Sequence, residues 1–423
     1  MYLLYEVALY LVLIIGLPFF LLRRKYAHTF AARMGHYLGA PRTHDVWIHA
    51  VSVGEALAAK PVVDAMLRIR PSTSLVFTTT TATGQAQAKR LFPAATVTYF
   101  PLDFSVAVKR FLSHHRPRVF AAMETEIWPN VTRLAAARGL RLVLANGRIS
   151  DRSFPRYRMA RPIVARVLRH YDAILAREAQ DAERFRAIGA SEVEVAGNVK
   201  FDYLPDERPF DFDLLGLANG RPIVVLGSTM EGEDEALLPE VLRLGAFVVV
   251  APRKPERFDV VAGLLQETRC LRRSVTPSVS EGPGGAGGAP PERPGPSLTL
   301  GVTDALLLDT IGELARVYRY AAAAFIGGSL VPTGGHNPIE AAAVGVPTCF
   351  GPHMSNFREI ASVFLRNGAA AEVRNARDVA GFLKKMIDDP TARQTMGERA
   401  RRVVEENRGA AERTARRIVE LLA

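Results

Sequence analysis

The first stretch of the chain is apolar on every side. "MYLLYEVALYLVLIIGLPFFLLRRKY" carries one acid, Glu6, in about 20 residues, roughly the helical length that spans a bilayer core. Arg23, Arg24 and Lys25 follow at once. A secretory signal would put its basic residues first and a small-residue cleavage site after, so residues 1–25 read as an uncleaved membrane anchor. By the positive-inside rule its N-terminus lies outside and the rest of the chain in the cytoplasm. Gly16 and Pro18 leave open a segment that lies within one leaflet. Beyond residue 25 the pattern changes to short β-rich runs alternating with helical ones. "VWIHAVS" leads through Gly54 into a helix. "SLVFTTTTATGQAQAKRLF" repeats strand, Thr/Gly loop, helix. "RVFAAMETEIWPNVTRLAAARG", "RLVLANGRIS", "AILARE" and "VEVAGNVKFD" continue the series to about residue 205.

After the Pro-containing connector "DERPFDFDLLGLANGRP" a second series begins with "PIVVLGST" and "AFVVVAPRK". It passes a helix near 256–267 and goes on to "ALLLDTIGELARVY", "AAFIGGSL" and "VPTCFGP". Strands alternating with helices predict parallel sheets covered on both faces. The expected organisation is an anchor (1–25), a first Rossmann-like domain (26–205), a second (206–395) and a C-terminal helix (396–423). Residues 273–297, rich in Pro, Gly and Ser, cannot pack a core and read as a disordered surface insertion. Open parallel sheets bind ligands beyond the carboxyl ends of their strands, so two such domains would turn those ends to a shared cleft.

Composition narrows the partners. A length of 423 residues suits two domains, and 48% hydrophobic content gives each a core. The net charge of +11 favours anionic partners or is simply a basic solvated surface. No basic block interleaves with aromatics, which argues against nucleic acid. The two cysteines, Cys270 and Cys349, are far apart, so neither a disulfide framework nor a zinc site is expected.

The polar clusters fall where strands end. In "GGSLVPTGGHNPIEAAAVGVPT" a strand runs into Gly327 and Gly328. Gly334, Gly335, His336 and Asn337 form a loop, and Pro338 begins a helix with Asn337 as its cap. Glycines let a phosphate approach the backbone, a helix N-terminus attracts anions, and Glu340 one turn in suits ribose hydroxyls. The alternative is a tight turn with a structural, capping glutamate. Arg253 and Lys254 end the strand of "VAPRKPERF" and suit an anionic ligand. Ser228 and Thr229 in "GSTMEGEDE" are small donors, and the acids after them fit a first helical turn. In the first domain, Glu55 of "HAVSVGE" is either a cleft-facing base or an ordinary helix-start acid. Glu124 and Glu126 of "METEIWPN" share one face of an extended segment. Asn198 and Lys200 of "GNVKFD", with Arg148 and Arg152 of "NGRISDRS", lie on the same rim. No glycine-rich phosphate loop of the dinucleotide or Walker type follows a strand, and no metal-ligand cluster appears, so hydride transfer and ATP hydrolysis are disfavoured.

Together "WIHAVSVGE", "TTTTATG", "YFPLD", "METEIWPN", "NGRISDRS", "GNVKFD", "GSTMEGE", "APRKPERF" and "GGSLVPTGGHNPIEAAAVGVPTCFGPHMSNF" resemble the 3-deoxy-D-manno-octulosonic acid (Kdo) transferases of lipopolysaccharide synthesis. The resemblance covers nearly the whole chain. It departs from the family at Lys254 and Met230, where histidine is usual, and at Gly147. It implies an α/β GT-B glycosyltransferase with CMP-Kdo as donor and the lipid A precursor lipid IVA as acceptor. It further implies inverting, metal-independent transfer with no cofactor beyond the donor, at the cytoplasmic side of an inner membrane with anionic lipid. Glu55 matches the family's general base, and Glu340 a ribose partner. Arg253 and the "GGHNPIE" segment match the CMP site. Glu124, Glu126 and Lys200 match the sugar and acceptor side. The competing readings are a membrane-anchored GT-B transferase for another nucleotide sugar, a soluble relative acting on a UDP-sugar, and a scaffold without catalysis.

Overall fold

The computed structural model describes residues 2–22, 24–203, 208–210, 213–275 and 303–423, with side chains 16–28 and 275 left out. Most of the expected insertion at 273–297 lies outside the described residues. The chain divides into two compact units, Met1–Tyr203 with Asn407–Ala423, and Leu204–Glu406.

The first unit holds seven strands: β1 His44–His49, β2 Leu75–Thr79, β3 Thr96–Tyr99, β4 Pro117–Met123, β5 Arg141–Gly147, β6 Ala173–Ala176 and β7 Val193–Val195. All pair in parallel in the order β3-β2-β1-β4-β5-β6-β7. The order reverses between β1 and β4, which opens a crevice at their carboxyl ends. Side-chain alternation explains why both faces are dry. Val46 and Ile48 of β1 join one core cluster, while Trp47 between them joins the other. The first cluster is closed by the helix Val53–Ile69 and by the chain's last helix, Ala410–Glu420, whose Ala410, Ala411, Ala415 and Ile418 are buried.

The C-terminal stretch expected as one helix over 396–423 is two, Pro390–Asn407 and Ala410–Glu420. Gly409, at φ 93°, breaks the run. The chain returns to the first unit at this break. Asp202 fastens it there by accepting the N–H groups of Gly409 (2.6 Å) and Ala411 (2.8 Å).

The second unit also holds seven strands: β8 Ile223–Thr229, β9 Phe247–Pro252, β10 Cys270–Arg272, β11 Ala305–Leu307, β12 Ala323–Ile326, β13 Thr348–Phe350 and β14 Ala370–Glu372. Their order is β10-β11-β9-β8-β12-β13-β14, again all parallel, with the reversal between β8 and β12.

The N-terminal segment folds as α1 Tyr2–Leu22 and α2 Arg24–Arg33. Among the described residues no helix is long and apolar enough to cross a membrane. The polar residues of α1 grip the first unit. Tyr5 donates to Asp103 (2.8 Å), and Glu6 accepts from the backbone N–H (2.9 Å) and hydroxyl (2.8 Å) of Ser105 and the side-chain amide of Asn130 (2.6 Å). These bonds hold the start of α1 on the first unit. The opposite side of α1 exposes Leu3 (77%), Leu4 (75%), Val7, Leu11, Ile14 and Ile15 (79%).

Candidate active site

In the first unit, Glu55 is the third residue of the helix Val53–Ile69, whose N-cap is Ser52. Its Oε2 accepts the Val51 N–H at 2.8 Å, and its Oε1 receives the Ser52 hydroxyl at 3.4 Å. This is the geometry of a helix-capping glutamate, and it leaves lone pairs on Oε1. Burial pushes its carboxyl up to about 7. The Val51 N–H opposes the rise, and the negative charges of Glu124 and Glu126 add to it. The helix-start position and the base-like titration thus coexist in one side chain.

Glu124 follows β4 directly and adopts φ 59°. Its carboxylate pairs with Arg177, which is buried at the end of β6 and donates through Nε to the Asn146 carbonyl at 3.2 Å. Asn146, near the end of β5, also has positive φ, 57°. Glu126 takes the Trp128 indole N–H at 2.8 Å and lies 3.8 Å from Nε2 of His49. His49 is fully buried and stacks on Phe100, with centroids 3.7 Å apart. Burial holds its imidazole below the usual value. Glu55, Glu124 and Glu126 therefore cluster around the crevice where the strand order reverses.

The rim residues have local partners too. Arg148 gives its carbonyl to the Thr125 hydroxyl. Asn198 accepts the Lys200 N–H at 3.1 Å and caps the short 3-10 turn Val199–Asp202. Arg177, Asn146 and His49 were not singled out from sequence. Each directly follows or closes an apolar strand run, and that position was the available signal.

In the second unit, Ser228 and Thr229 close β8, and Arg253 and Lys254 follow β9. Ser228 adopts φ 57°. Among the described residues, five that are not glycine have positive φ. Arg116 and Asn219 are helix C-caps, and the other three, Glu124, Asn146 and Ser228, sit at the ends of parallel strands. Strained backbone of this kind concentrates at functional sites. Thr229 is fully buried, so Ser228 is the one of the pair with a surface to offer. Arg253 and Lys254 are exposed. The cation of Arg253 bears on two residues of the glycine loop. It helps burial hold the His336 imidazole down, to about 4, and it partly offsets the burial that raises the Glu340 carboxyl. Arg253, His336 and Glu340 thus form one electrostatic group, joined by Asn337, whose amide reaches Glu340 at 3.4 Å.

The glycine loop is thin largely for the protein's own packing. A side chain at Gly327 would strike the Ser228 carbonyl at 2.4 Å. One at Gly334 would strike Asn356 at 2.4 Å, and one at Gly335 the Met354 sulfur at 2.3 Å. The helix after the loop, Ile339–Ala343, has five residues, so it offers local N–H groups rather than a long macrodipole. Its N-cap is Pro338, with Asn337 one residue earlier accepting the Ile339 N–H at 3.1 Å.

The acids after Thr229 include one with a larger role than a first helical turn. Glu233 is buried, and its carboxylate accepts four backbone N–H groups: Met230 (2.9 Å), Gly328 (2.6 Å), Ser329 (2.9 Å) and Leu330 (2.9 Å). It staples the loop after β8 to the loop after β12. No local pattern distinguished it from Asp234 or Glu235. Among the described residues no group of three His, Cys, Asp or Glu could hold a metal ion.

Comparison with known proteins agrees with this architecture. Residues 28–203 match the family model described as 3-deoxy-D-manno-octulosonic-acid transferase (kdotransferase). The chain is 36% identical over 399 residues to the 3-deoxy-D-manno-octulosonic acid transferase of Bordetella pertussis, covering 90% of this chain and 88% of that one. It is 32% identical to the enzyme of the same name from Haemophilus influenzae, covering 92% and 90%. Among solved structures, the glycotransferase of kitacinnamycin superposes with a TM-score of 0.51 at 13% identity, over 90% of this chain and all (100%) of that one. That likeness shows the fold alone, two parallel-sheet α/β units like those of GT-B glycosyltransferases. On the strength of its relatives, the chain belongs to the 3-deoxy-D-manno-octulosonic acid transferases, a family of glycosyltransferases.

Proposed function

We propose that the protein transfers Kdo from CMP-Kdo to lipid IVA at the cytoplasmic face of the inner membrane, by an inverting, metal-independent displacement. The observation that carries the mechanism is Glu55, a carboxyl raised to about 7 among two further acids at the crevice of the first unit. A primary hydroxyl of the acceptor is a poor nucleophile until its proton is withdrawn. Oε1 of Glu55 takes that proton as the hydroxyl oxygen bonds to the anomeric carbon of Kdo. The bond from that carbon to the CMP phosphate oxygen breaks, and its electron pair leaves with CMP. Attack opposite the leaving group inverts the anomeric centre.

The second unit binds the donor in this reading. Arg253 and Lys254 meet the phosphate as its charge builds, in the part a metal would otherwise play. Glu340 and Asn337 hold the ribose, with His336, Gly334, Gly335, Ser228 and Thr229 framing the nucleotide. Glu124, Glu126, Arg148, Asn198 and Lys200 position the sugar and the acceptor. No cofactor besides the donor is required. The helix α1 lies in the membrane plane as an anchor, with Leu3, Leu4, Leu11 and Ile15 in the lipid and the docked Tyr5 and Glu6 toward the protein. The net charge of +11 favours an anionic bilayer and the acceptor's phosphates.

The test is a transfer assay with detergent-solubilised protein, lipid IVA and CMP-Kdo generated in place, read by mass spectrometry, with Glu55→Ala beside the wild type. Stepwise Kdo addition by the wild type and none by the variant is expected. A folded wild type that adds nothing refutes the reaction. Turnover of a different nucleotide sugar would replace the donor.

A further inference from the structure

A cavity of about 550 Å³ lies in the first unit beneath α1, within the range of pockets that bury small ligands, roughly 300–1,000 Å³. Its walls are largely apolar: Leu9, Val12 and Leu13 of α1, Phe30 of α2, and Leu102 and Phe104 after β3. It opens to the surface along α1, where Val12 is exposed.

Two features tie the cavity to the acids of the crevice. Thr80 and Thr81 line it, and both donate their backbone N–H to the Val51 carbonyl at 3.2 Å. Val51 in turn donates its own N–H to Glu55. Trp128 also lines it, and its indole N–H holds Glu126 at 2.8 Å. The cavity thus ends one residue from the proposed base and one side chain from its neighbour.

Two further features tie it to a bilayer. Val12, which lines it, is 66% exposed, so α1 forms its outer edge. The rest of that helix presents Leu3, Leu4, Leu11, Ile14 and Ile15 outward. Polar bonds from Tyr5 and Glu6 to Asp103, Ser105 and Asn130 keep α1 seated as a roof. Arg33 bonds Thr29 (3.2 Å) and the Thr80 carbonyl and stacks over Tyr99, 4.6 Å from its ring centre, bracing α2 as a side wall.

We infer that this cavity takes one acyl chain of the lipid acceptor, drawn under α1 from the membrane so that the attached sugar hydroxyl lies at Glu55. The inference rests on the reading of the acceptor as an acylated glycolipid. An amphipathic acceptor needs its apolar tail sheltered while its head is at the catalytic acids, and the cavity lies one hydrogen-bonded residue from those acids in the same unit. Burial of the tail adds affinity through the apolar area removed from water and fixes the register of the sugar along the crevice. The bilayer's own phospholipids share the acyl chemistry but bring no sugar to the acids.

The experiment compares two acceptors and two proteins. Ala82 lines the cavity at the exposed first turn of the helix Ala82–Leu91, and Ala82→Trp fills the space without removing a hydrogen bond. Tetra-acylated lipid IVA and its fully deacylated counterpart are assayed with wild type and variant in detergent. The variant is expected to raise KM for the acylated acceptor about tenfold, the scale on which a hydrophobic pocket discriminates a methylene or two. Its kcat/KM for the deacylated acceptor stays unchanged. An equal loss on both acceptors, or on neither, overturns the inference.

A tail-diazirine derivative of the acylated acceptor gives a second measurement that does not need turnover. Photolabel on peptides carrying Leu13, Phe30 and Leu102 is expected, reduced in Ala82→Trp and resistant to excess phosphatidylglycerol. Label only on Leu4 and Leu11, or full displacement by phosphatidylglycerol, overturns it. A wild type inert on both acceptors would end the transferase reading, while label in the cavity would still support the acyl site.

Discussion

At the residue scale, Glu55 holds the helix-start position that sequence offered as one of two alternatives, and its carboxyl is raised to about 7 because burial beside two acids outweighs the Val51 N–H bond. In the proposed mechanism Glu55 must be ionised in the free enzyme to accept a proton, which holds above about 7, so kcat/KM is expected to fall about tenfold per pH unit below that point. Glu124→Gln removes one of the charges that raise this value. The change favours the ionised carboxylate, so the acid limb of the pH profile shifts to lower pH. An unmoved limb would assign it to another group. Glu233 gives a residue-scale prediction about stability. Four backbone N–H groups converge on its carboxylate, and an amide nitrogen there would face donors. Glu233→Gln is expected to cost about 2 kcal/mol, within the usual penalty for buried unsatisfied donors, while Glu231→Gln at the exposed position beside it changes little. Denaturant unfolding of the full chain followed in the second unit reads both. Sequence marked Glu55 because a strand, a glycine and a helix surround it. It did not mark Glu233, because three consecutive acids read alike until the distant loop of β12 folds against one of them.

At the element scale, the longer strands were legible because buried parallel strands are near-continuous apolar runs, and "FVVVAP" or "IVVLGST" have no competing reading. The N-terminal helix was legible as a helix but not in its placement. An all-apolar run carries no information about which face docks, and Glu6, its one acid, was the position that broke the pattern. Their partners, Asp103 and Asn130, are about a hundred residues away in sequence, so only the fold brings them to α1. In the proposed reading, α1 is held to the first unit through Tyr5 and Glu6 and meets a bilayer through its exposed apolar side. Leu4→Glu combined with Ile15→Glu removes two of its most exposed apolar groups, at 75% and 79%. Full burial of each leucine or isoleucine contributes about 1.5–3 kcal/mol, so affinity for phosphatidylglycerol vesicles is expected to drop well over tenfold in sedimentation assays. Activity on a detergent-solubilised acceptor should persist. Loss of that activity with vesicle binding intact would mean the face serves the site rather than the membrane.

At the scale of the whole molecule, the chain leaves the first unit at Tyr203 and comes back to it at Asn407. The last 17 residues by that division, 407–423, therefore complete a core laid down by the N-terminal half. Ala410, Ala411, Ala415, Ile418 and Leu422 are buried in the same cluster as Val46, Ile48, Val62 and Met66. Asp202 receives the two N–H groups that start the returning helix, and Arg413 donates to the Ala196 carbonyl at 2.8 Å. Sequence showed a basic helical stretch here but not its destination, since alternating α/β patterns do not say which sheet a terminal helix covers. Deletion of 407–423 is consequently expected to weaken the N-terminal unit rather than the unit next to it in sequence. Its removal would uncover a face of the helix Val53–Ile69, which carries Glu55. Hydrogen exchange read by mass spectrometry should show protection lost over residues 44–69 and 193–203 and retained over β8, β9 and β12. Asp202→Ala should reproduce the same pattern more weakly, because it removes the acceptor for two N–H groups and leaves the apolar contacts. Equal loss of protection across both units would mean that they fold as one cooperative body, and protection lost only near 390–406 would mean that the returning helix is dispensable to the core it covers.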